Sequence, residues 1–302
     1  MTQTVLILGG TGKIGSHAAE AFWNAGWTVR LFNRKTDDMT QAAIGCDVIV
    51  NGLNPPAYYK WNVTIPAITS QVIAAAKASG ATVIIPGNIY NYGNQPGTLD
   101  ENTPHLARTR KGRVRIDMEA AYRDAGVPTI ILRAGNFIDP QGNGDVMQMF
   151  ILREIAKGKV TYSDNPDALQ AYCYLPDWAR AAVQLAEMRD TLDRFEDIPF
   201  PGHAFTISDL AAHFQGRGEK IRLSTFPWWL MNLLAPFWSL AREMREMRYL
   251  YSMPHQISGA KLARLLPGFQ PTDLGMVMDD TLPADIHPDK VMRASMQNLV
   301  AS

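Results

Sequence analysis

Three glycines, at positions 9, 12 and 15, carry the clearest chemistry in this chain of 302 residues. They interrupt the run Val-Leu-Ile-Leu-Gly-Gly-Thr-Gly-Lys-Ile-Gly-Ser over residues 5–16. Gly9 lets the backbone turn sharply off an apolar strand, Gly12 lets main chain come close to a pyrophosphate, and Gly15 lets the next helix pack tightly. Thr11, Lys13 and Ile14 complete the turn, and Ile14, Ala18, Phe22 and Ala25 then recur at helical spacing. The helix start offers unpaired N–H groups and a partial positive charge to phosphates. Strand, turn and helix together predict a dinucleotide-binding unit. Further on, Asn33-Arg34-Lys35 stands where an acid would hold the 2′-hydroxyl of NAD, or an arginine the 2′-phosphate of NADP. A carboxylate there would repel that phosphate, whereas a planar guanidinium grips it bidentately. NADP(H) is therefore favoured over NAD(H), with Lys13 expected to add to the same phosphate site.

The elements that must position these residues show one repeated pattern. A helix ends at a glycine and a β-branched strand follows within two or three residues: Gly26 before Thr28–Phe32, Gly80 before Thr82–Ile85, Gly126 before Thr129–Leu132. Such alternation argues for an α/β fold, a Rossmann-type doubly wound parallel sheet covered on both faces. Strands are predicted near 4–8, 28–32, 47–51, 82–86 and 129–133. Only about fourteen residues separate the second strand from Asp47–Asn51, too few for a further strand with its two helices, so the sheet should be one strand short on the adenine side. Helices are predicted at 144–157, 176–189, 208–215, 228–251 and 258–266, with short strands near 160–162, 172–175 and 203–207. The expected division is 1–140 as the dinucleotide-binding domain, with a strand and helix around 172–190 returning to it, and 141–302 as a smaller α+β substrate region.

Composition narrows the function classes. Twenty-nine basic residues balance twenty-nine acidic ones, without a long run of either sign, so nucleic acid is not an expected partner. Cys46 and Cys173 show no metal spacing, nor do His17, His105, His203, His213, His255 and His287, and no metal is expected. The apolar run begins at Val5, which leaves no room for a signal peptide, and Phe226–Ala241 is too short and too interrupted to span a bilayer. A cytoplasmic protein acting on a small molecule, without membrane insertion, as monomer or homodimer, is the expectation.

At this point the chain resembles the extended short-chain dehydrogenase/reductase family, which includes nucleotide-sugar epimerases and dehydratases. Gly9 to Gly15 matches the family's glycine turn. Asp47-Val48-Ile49-Val50-Asn51-Gly52-Leu53-Asn54 resembles the strand that ends under the cofactor ribose, and Val83 to Gly93 the strand that normally reads SSxxVYG. Leu132-Arg133-Ala134-Gly135-Asn136-Phe137-Ile138-Asp139-Pro140 resembles the LRPxNxYGP segment beside the nicotinamide, and Tyr174 to Ala179 the VxDxA segment opening a late helix. The resemblance implies cofactor contacts from Leu53, Asn54, Pro86, Gly87, Gly135, Asn136 and Phe137, and in relatives a dimer through two helices, here near 67–79 and 113–125.

The departures fall on the catalytic residues. The family's YxxxK motif, in which a tyrosine shuttles a proton and a lysine lowers its pKa and holds the ribose, is missing. Counting back from Glu119, Arg115 takes the lysine place and Lys111 the tyrosine place, while Pro86-Gly87 replaces the serine pair. Arg115 can still bind ribose hydroxyls but stays charged and cannot shuttle a proton. Lys111 reads either as an acid whose pKa is lowered by Arg115 or as a solvated lysine in the basic stretch 108–115. Asn88, Tyr90 and Tyr92, just past a strand end, are further hydrogen-bonding candidates: Tyr90 for catalysis, Asn88, Tyr92 and Asn136 toward substrate. Tyr92 has a packing role as its alternative. The tryptophan- and methionine-rich stretch 227–253 reads chiefly as a packing helix, otherwise as an apolar wall over a hydrophobic substrate or a membrane-surface contact. Two functions stay open: an NAD(P)-dependent oxidoreductase or epimerase/dehydratase-like enzyme for a carbonyl or sugar-nucleotide substrate, with a non-standard proton donor, or a non-catalytic NADP(H)-binding redox sensor.

Overall fold

The computed structural model describes residues 2–55, 58, 60–142 and 144–282; the last stretch of the predicted C-terminal region, His287 included, lies outside them. In chain order the first half runs β1 (Thr4–Leu8), α1 (Lys13–Asn24), β2 (Thr28–Phe32), α2 (Met39–Ala43), β3 (Val48–Asn51), α3 (Trp61–Ser79), β4 (Thr82–Asn88), β5 (Gly97–Leu99), α4 (Arg110–Ala125), β6 (Thr129–Ala134) and β7 (Asn136–Ile138). The second half runs β8 (Lys159–Tyr162), β9 (Gln170–Tyr174), α5 (Leu175–Glu187), β10 (Phe195–Pro199), β11 (His203–Phe205), α6 (Ile207–Gly216), β12 (Arg222–Thr225), α7 (Trp228–Leu234), α8 (Ser239–Met247), β13 (His255–Ile257), α9 (Ala260–Leu265) and α10 (Leu274–Asp280).

Six strands form one parallel sheet in the order β10-β6-β4-β3-β1-β2. β2 is the edge, so the strand that would flank it in a full doubly wound half is absent and one short helix, α2, fills the connection. Alternation along β1 explains the core on both faces. Val5 and Ile7 pack with Ile14, Phe22 and Trp178 on the side of α1 and α5, while Leu6 and Leu8 pack with Trp61, Val72 and Tyr122 on the side of α3 and α4. A strand buried on both faces reads as an unbroken apolar run, which is why β1 was recognisable. Gly80 and Gly126 cap α3 and α4 at φ +76° and +66°, the left-handed conformation that closes a last turn.

The later half departs from expectation in three places. The strand that rejoins the sheet is β10 on β6; the predicted 172–175 segment falls in β9, which belongs to a separate three-stranded sheet β11-β9-β7, and only helix α5 returns to pack on α1. The helix predicted over 228–251 breaks into α7, α8 and a 3-10 turn at Arg248–Tyr251. Pro236 lies at the break, just after the last residue of α7 and its cap, where it has no N–H to donate back into the helix. The helix predicted over 144–157 is a π turn at Met147–Ile151 followed by a 3-10 turn at Ile155–Lys157, although Met147, Ile151 and Ile155 still face one core. Among the described residues no helix is long and apolar enough to cross a membrane.

Candidate active site

The glycine turn sits at the C-terminal edge of the sheet, where β1 feeds α1. Gly9 is at φ +76°, and α1 is capped by Gly12 without a side-chain bond, so no cap side chain takes its first N–H groups. A Cβ on Gly15 would overlap the Gly9 carbonyl oxygen, and one on Gly52, at the end of β3, would lie 2.9 Å from the Leu8 oxygen and 3.1 Å from the Gly15 nitrogen. Gly15 thus allows the helix to meet the turn and the end of β3, rather than the sheet alone. Backbone packed this closely, with open donors at a helix start, suits a dinucleotide pyrophosphate.

Beyond β2, Asn33 accepts from the Lys35 amide and its own amide donates to the Asp37 carboxylate at 2.8 Å. That hydrogen bond and one from Thr36 hold Asp37 below its ordinary value. Arg34 and Lys35 are exposed. Lys13 points elsewhere: its Nζ donates to the Gly144 oxygen at 2.7 Å, near Asp145 and Asp139, and burial lowers its pKa. The expected contribution of Lys13 to the phosphate around Arg34 is therefore corrected; its ammonium ties the glycine turn to the Gly144 carbonyl. His17 joins the same cluster through Asp139 at 3.0 Å.

Around the edges of β3 and β4 the polar side chains converge. Arg115, buried on α4, donates to Asn54 Oδ1 at 3.3 Å, stacks over the Trp61 ring at 4.8 Å and has a buried Nε without a partner. Burial lowers its pKa, but it remains a cation. Tyr90 Oη lies 3.2 Å from Tyr58 Oη. Burial raises the Tyr90 pKa, while the Tyr58 hydrogen bond and Arg115 pull it down. Tyr58 is pushed well up, first by Tyr90 and then by burial. Sequence reasoning missed Tyr58, which lies in no motif. Its one structural signal is backbone: Tyr58 and Lys60 are the non-glycine residues with positive φ among those described, at 59° and 46°. Such conformations cost about 1–3 kcal/mol each and collect at functional loops.

Lys111 is neither the solvated lysine nor a free acid. Its side chain is 1% exposed, its ammonium pairs with Glu243 and, at 2.7 Å, with Glu246 of α8, and it lies 4.7 Å from the centre of the Tyr58 ring. Arg110 bonds Glu243 at 2.5 Å, so the basic start of α4 is covered by an acidic face of α8. Burial pushes Glu243 up, yet the bonds from Lys111 and Arg110 outweigh it and hold the carboxyl below its usual range. Glu119 bonds Arg133 through both oxygens at 3.1 and 2.8 Å, and Asp197 takes the same guanidinium at 3.1 and 2.6 Å. His105, Glu119 and Asp197 bring possible ligand atoms within 4.8 Å, but the Arg133 cation already bonds both carboxylates there.

The remaining candidates divide between scaffold and cleft. Asn88 Oδ1 accepts from the Tyr90 amide and its carbonyl accepts from Arg133, so it fixes the turn that carries Tyr90. The Tyr92 hydroxyl donates to the Asp100 oxygen at 2.9 Å and its ring lies under Arg133, a packing role. Gly87 lets β4 pass β6, since a Cβ there would lie 2.5 Å from Ile131. Gly135 likewise allows close approach of β9, because a Cβ would overlap the Ala171 oxygen. Pro86, Leu53, Asn136 and Phe137 stay partly exposed along that edge, with β7 pairing Asn136 against Tyr172 of β9.

A parallel sheet with a glycine-turn cradle and a polar cluster at its strand ends defines an α/β protein of the dinucleotide-binding, epimerase-like class. The chain belongs to the NAD dependent epimerase/dehydratase family, whose model matches residues 5–198. Among solved structures it is similar to a nucleoside-diphosphate-sugar epimerase from Pseudomonas aeruginosa (16% identity over 92% of this chain and 95% of that one, TM-score 0.67). It is also similar to the UDP-glucuronic acid 4-epimerase from Bacillus cereus in complex with UDP-glucuronic acid and NAD (16%, 92% and 98%, TM-score 0.71). A third is L-threonine dehydrogenase from Phytophthora infestans (19%, 93% and 98%, TM-score 0.70). These likenesses carry the fold. No curated protein matches the sequence significantly.

Proposed function

We propose that this chain is an NADP(H)-dependent oxidoreductase or epimerase acting on a small carbonyl or alcohol compound, with Tyr90 as its proton donor. One observation carries the reading: the Tyr90 and Tyr58 hydroxyls stand 3.2 Å apart beside Arg115, the residue in the family's lysine place. The missing helix tyrosine is thereby replaced by a hydroxyl from another element, on the same edge as the glycine turn.

Gly9, Gly12 and the start of α1 would hold the pyrophosphate, Arg34 the 2′-phosphate, and Leu53, Asn54, Pro86 and Gly135 to Phe137 the nicotinamide half. The nicotinamide supplies hydride exchange when bound. Tyr90 gives its proton to the oxygen of a substrate carbonyl as hydride reaches the carbon, leaving an alcohol and a phenolate. Arg115 stabilises that phenolate by its charge, and the Tyr58 hydroxyl donates to it until solvent restores the proton. An ordinary tyrosine is already protonated at neutral pH, the state an acid needs, and burial shifts Tyr90 further in that direction.

The test is NADPH oxidation with a panel of carbonyl compounds, in wild type and Tyr90→Phe. General acid catalysis contributes on the order of 10²–10⁴-fold, so kcat should fall by that factor while NADPH affinity holds. Unchanged turnover would remove Tyr90 from the mechanism. NADP(H) binding without turnover of any compound would favour a redox sensor.

A further inference from the structure

The 227–253 stretch packs one side on the rest of the molecule and leaves the other uncovered. Inward, Trp228, Met231 and Ala235 cluster with Ala241, and Trp228 and Met244 line an apolar cavity against the 146–172 segment. Only Asn232 is polar within α7, so this helix is apolar nearly all the way round. A helix of that kind belongs in an interior, yet its other side faces out. Trp229 is 69% exposed and Leu233, one turn further on, 65%; past the helix end Phe237 is 91% and Trp238 43% exposed. A lone exposed apolar side chain is ordinary, but large ones gathered along one short stretch mark a contact surface.

Charge narrows what the contact is. Read in sequence, Glu243 and Glu246 follow the aromatic residues and argue against an acidic partner. In the fold both are taken: Glu243 pairs with Arg110 and Lys111, and Glu246 with Lys111. Asp164 is likewise held by Arg248. Arg242 and Arg245 are exposed, and among the described residues neither has a carboxylate partner. Arg242 reaches only the Pro236 carbonyl, at 3.4 Å. From Trp229 to Arg245 the chain therefore presents aromatic and aliphatic surface, two free cations and no free anion.

We propose that this face seats the protein on an anionic lipid surface. Trp229, Leu233, Phe237 and Trp238 enter the boundary between headgroups and acyl chains, and Arg242 and Arg245 meet lipid phosphates. Tryptophan and phenylalanine beside arginine is the composition that lies in a bilayer interface. Such seating needs no spanning helix, in keeping with the described residues. A second copy of the chain fits less well. An isologous contact sets a patch against itself, so the arginines would meet arginines or apolar side chains with no carboxylate to pair them. The proposal does not depend on the catalytic reading of Tyr90.

Sedimentation of the full chain with vesicles tests it, using phosphatidylcholine alone and phosphatidylcholine mixed with phosphatidylglycerol. Binding should be about 10- to 30-fold tighter to the mixed vesicles, the contribution of two arginines near an anionic surface. It should weaken in about 1 M salt, where the Debye length shrinks to about 3 Å. Arg242→Gln with Arg245→Gln should equalise the two compositions. Trp229→Ser with Phe237→Ser should lower binding to both by about 10-fold or more, with circular dichroism unchanged because both side chains are exposed. Failure to bind the mixed vesicles, equal binding of the unaltered chain to both compositions, or binding untouched by the loss of Trp229 and Phe237 overturns the proposal. So does a dimer in lipid-free sedimentation velocity that Trp229→Ser with Phe237→Ser dissolves, since the face would then belong to a second copy.

Discussion

The glycine-turn cradle and the apolar cavity between the 146–172 segment and the 226–251 stretch are built in opposite ways. The cradle is backbone. Gly15 and Gly52 hold carbonyls and amides at distances no Cβ would permit, and Gly9 turns in the left-handed region that favours glycine. The cavity is side chain, drawn from the 146–172 segment, Ile207 and the 226–251 stretch. Backbone sites demand glycine at fixed spacing within one short segment, whereas side-chain sites demand only that distant segments meet. A backbone cradle suits a generic ligand group such as a phosphate, whereas the shape of a side-chain cavity follows from the particular residues that meet there.

Helix α4 sharpens that contrast, because Lys111 and Arg115, one turn apart, serve different ends. The largest effect expected is loss of the proton donor in Tyr90→Phe, already described. Next, Lys111→Met should destabilise the fold by about 3 kcal/mol, since Glu243 and Glu246 would keep their charge without the buried partner. Chemical denaturation should show that loss, while kcat of the folded fraction stays close to that of wild type. A selective collapse of kcat would return Lys111 to catalysis.

A smaller effect tests the cradle's outer end. Arg34→Asp should weaken NADP binding by about 10- to 100-fold, the worth of a bidentate charge-assisted contact, and NAD binding far less. Equal losses would remove the NADP assignment. Smallest is the pH response. Because Tyr90 is raised by burial, its acid form persists, so the reductive rate should stay level through the neutral and mildly alkaline range. It should fall only above the ordinary tyrosine value of 10.0. A decline beginning near neutrality would point to a different donor.

How much was legible follows from the same division. The strands at 4–8 and 28–32, the helix-ending glycines and the absent edge strand were readable, because each is a local constraint. Tyr58 was not, since its own left-handed backbone and its hydroxyl contact with Tyr90 follow no local pattern. The pairing of Lys111 with Glu243 and Glu246 spans about 130 residues, and no periodicity encodes it. Likewise Lys13 looked like a phosphate ligand from its place in the turn, but its side chain reaches across to Gly144. The 228–251 stretch read as one helix because its apolar spacing outweighed Pro236 in the pattern, though not in the fold.

The central claim is that Tyr90, supported by Tyr58 and Arg115, has taken over from the missing helix tyrosine. A crystal structure of the chain with NADP bound tests it most directly. The pyrophosphate is expected on Gly9–Gly15, with the Tyr90 hydroxyl as the donor nearest the nicotinamide carbon that exchanges hydride. A nicotinamide placed away from Tyr90 and Tyr58, or facing Lys111 released from Glu243 and Glu246, would contradict it.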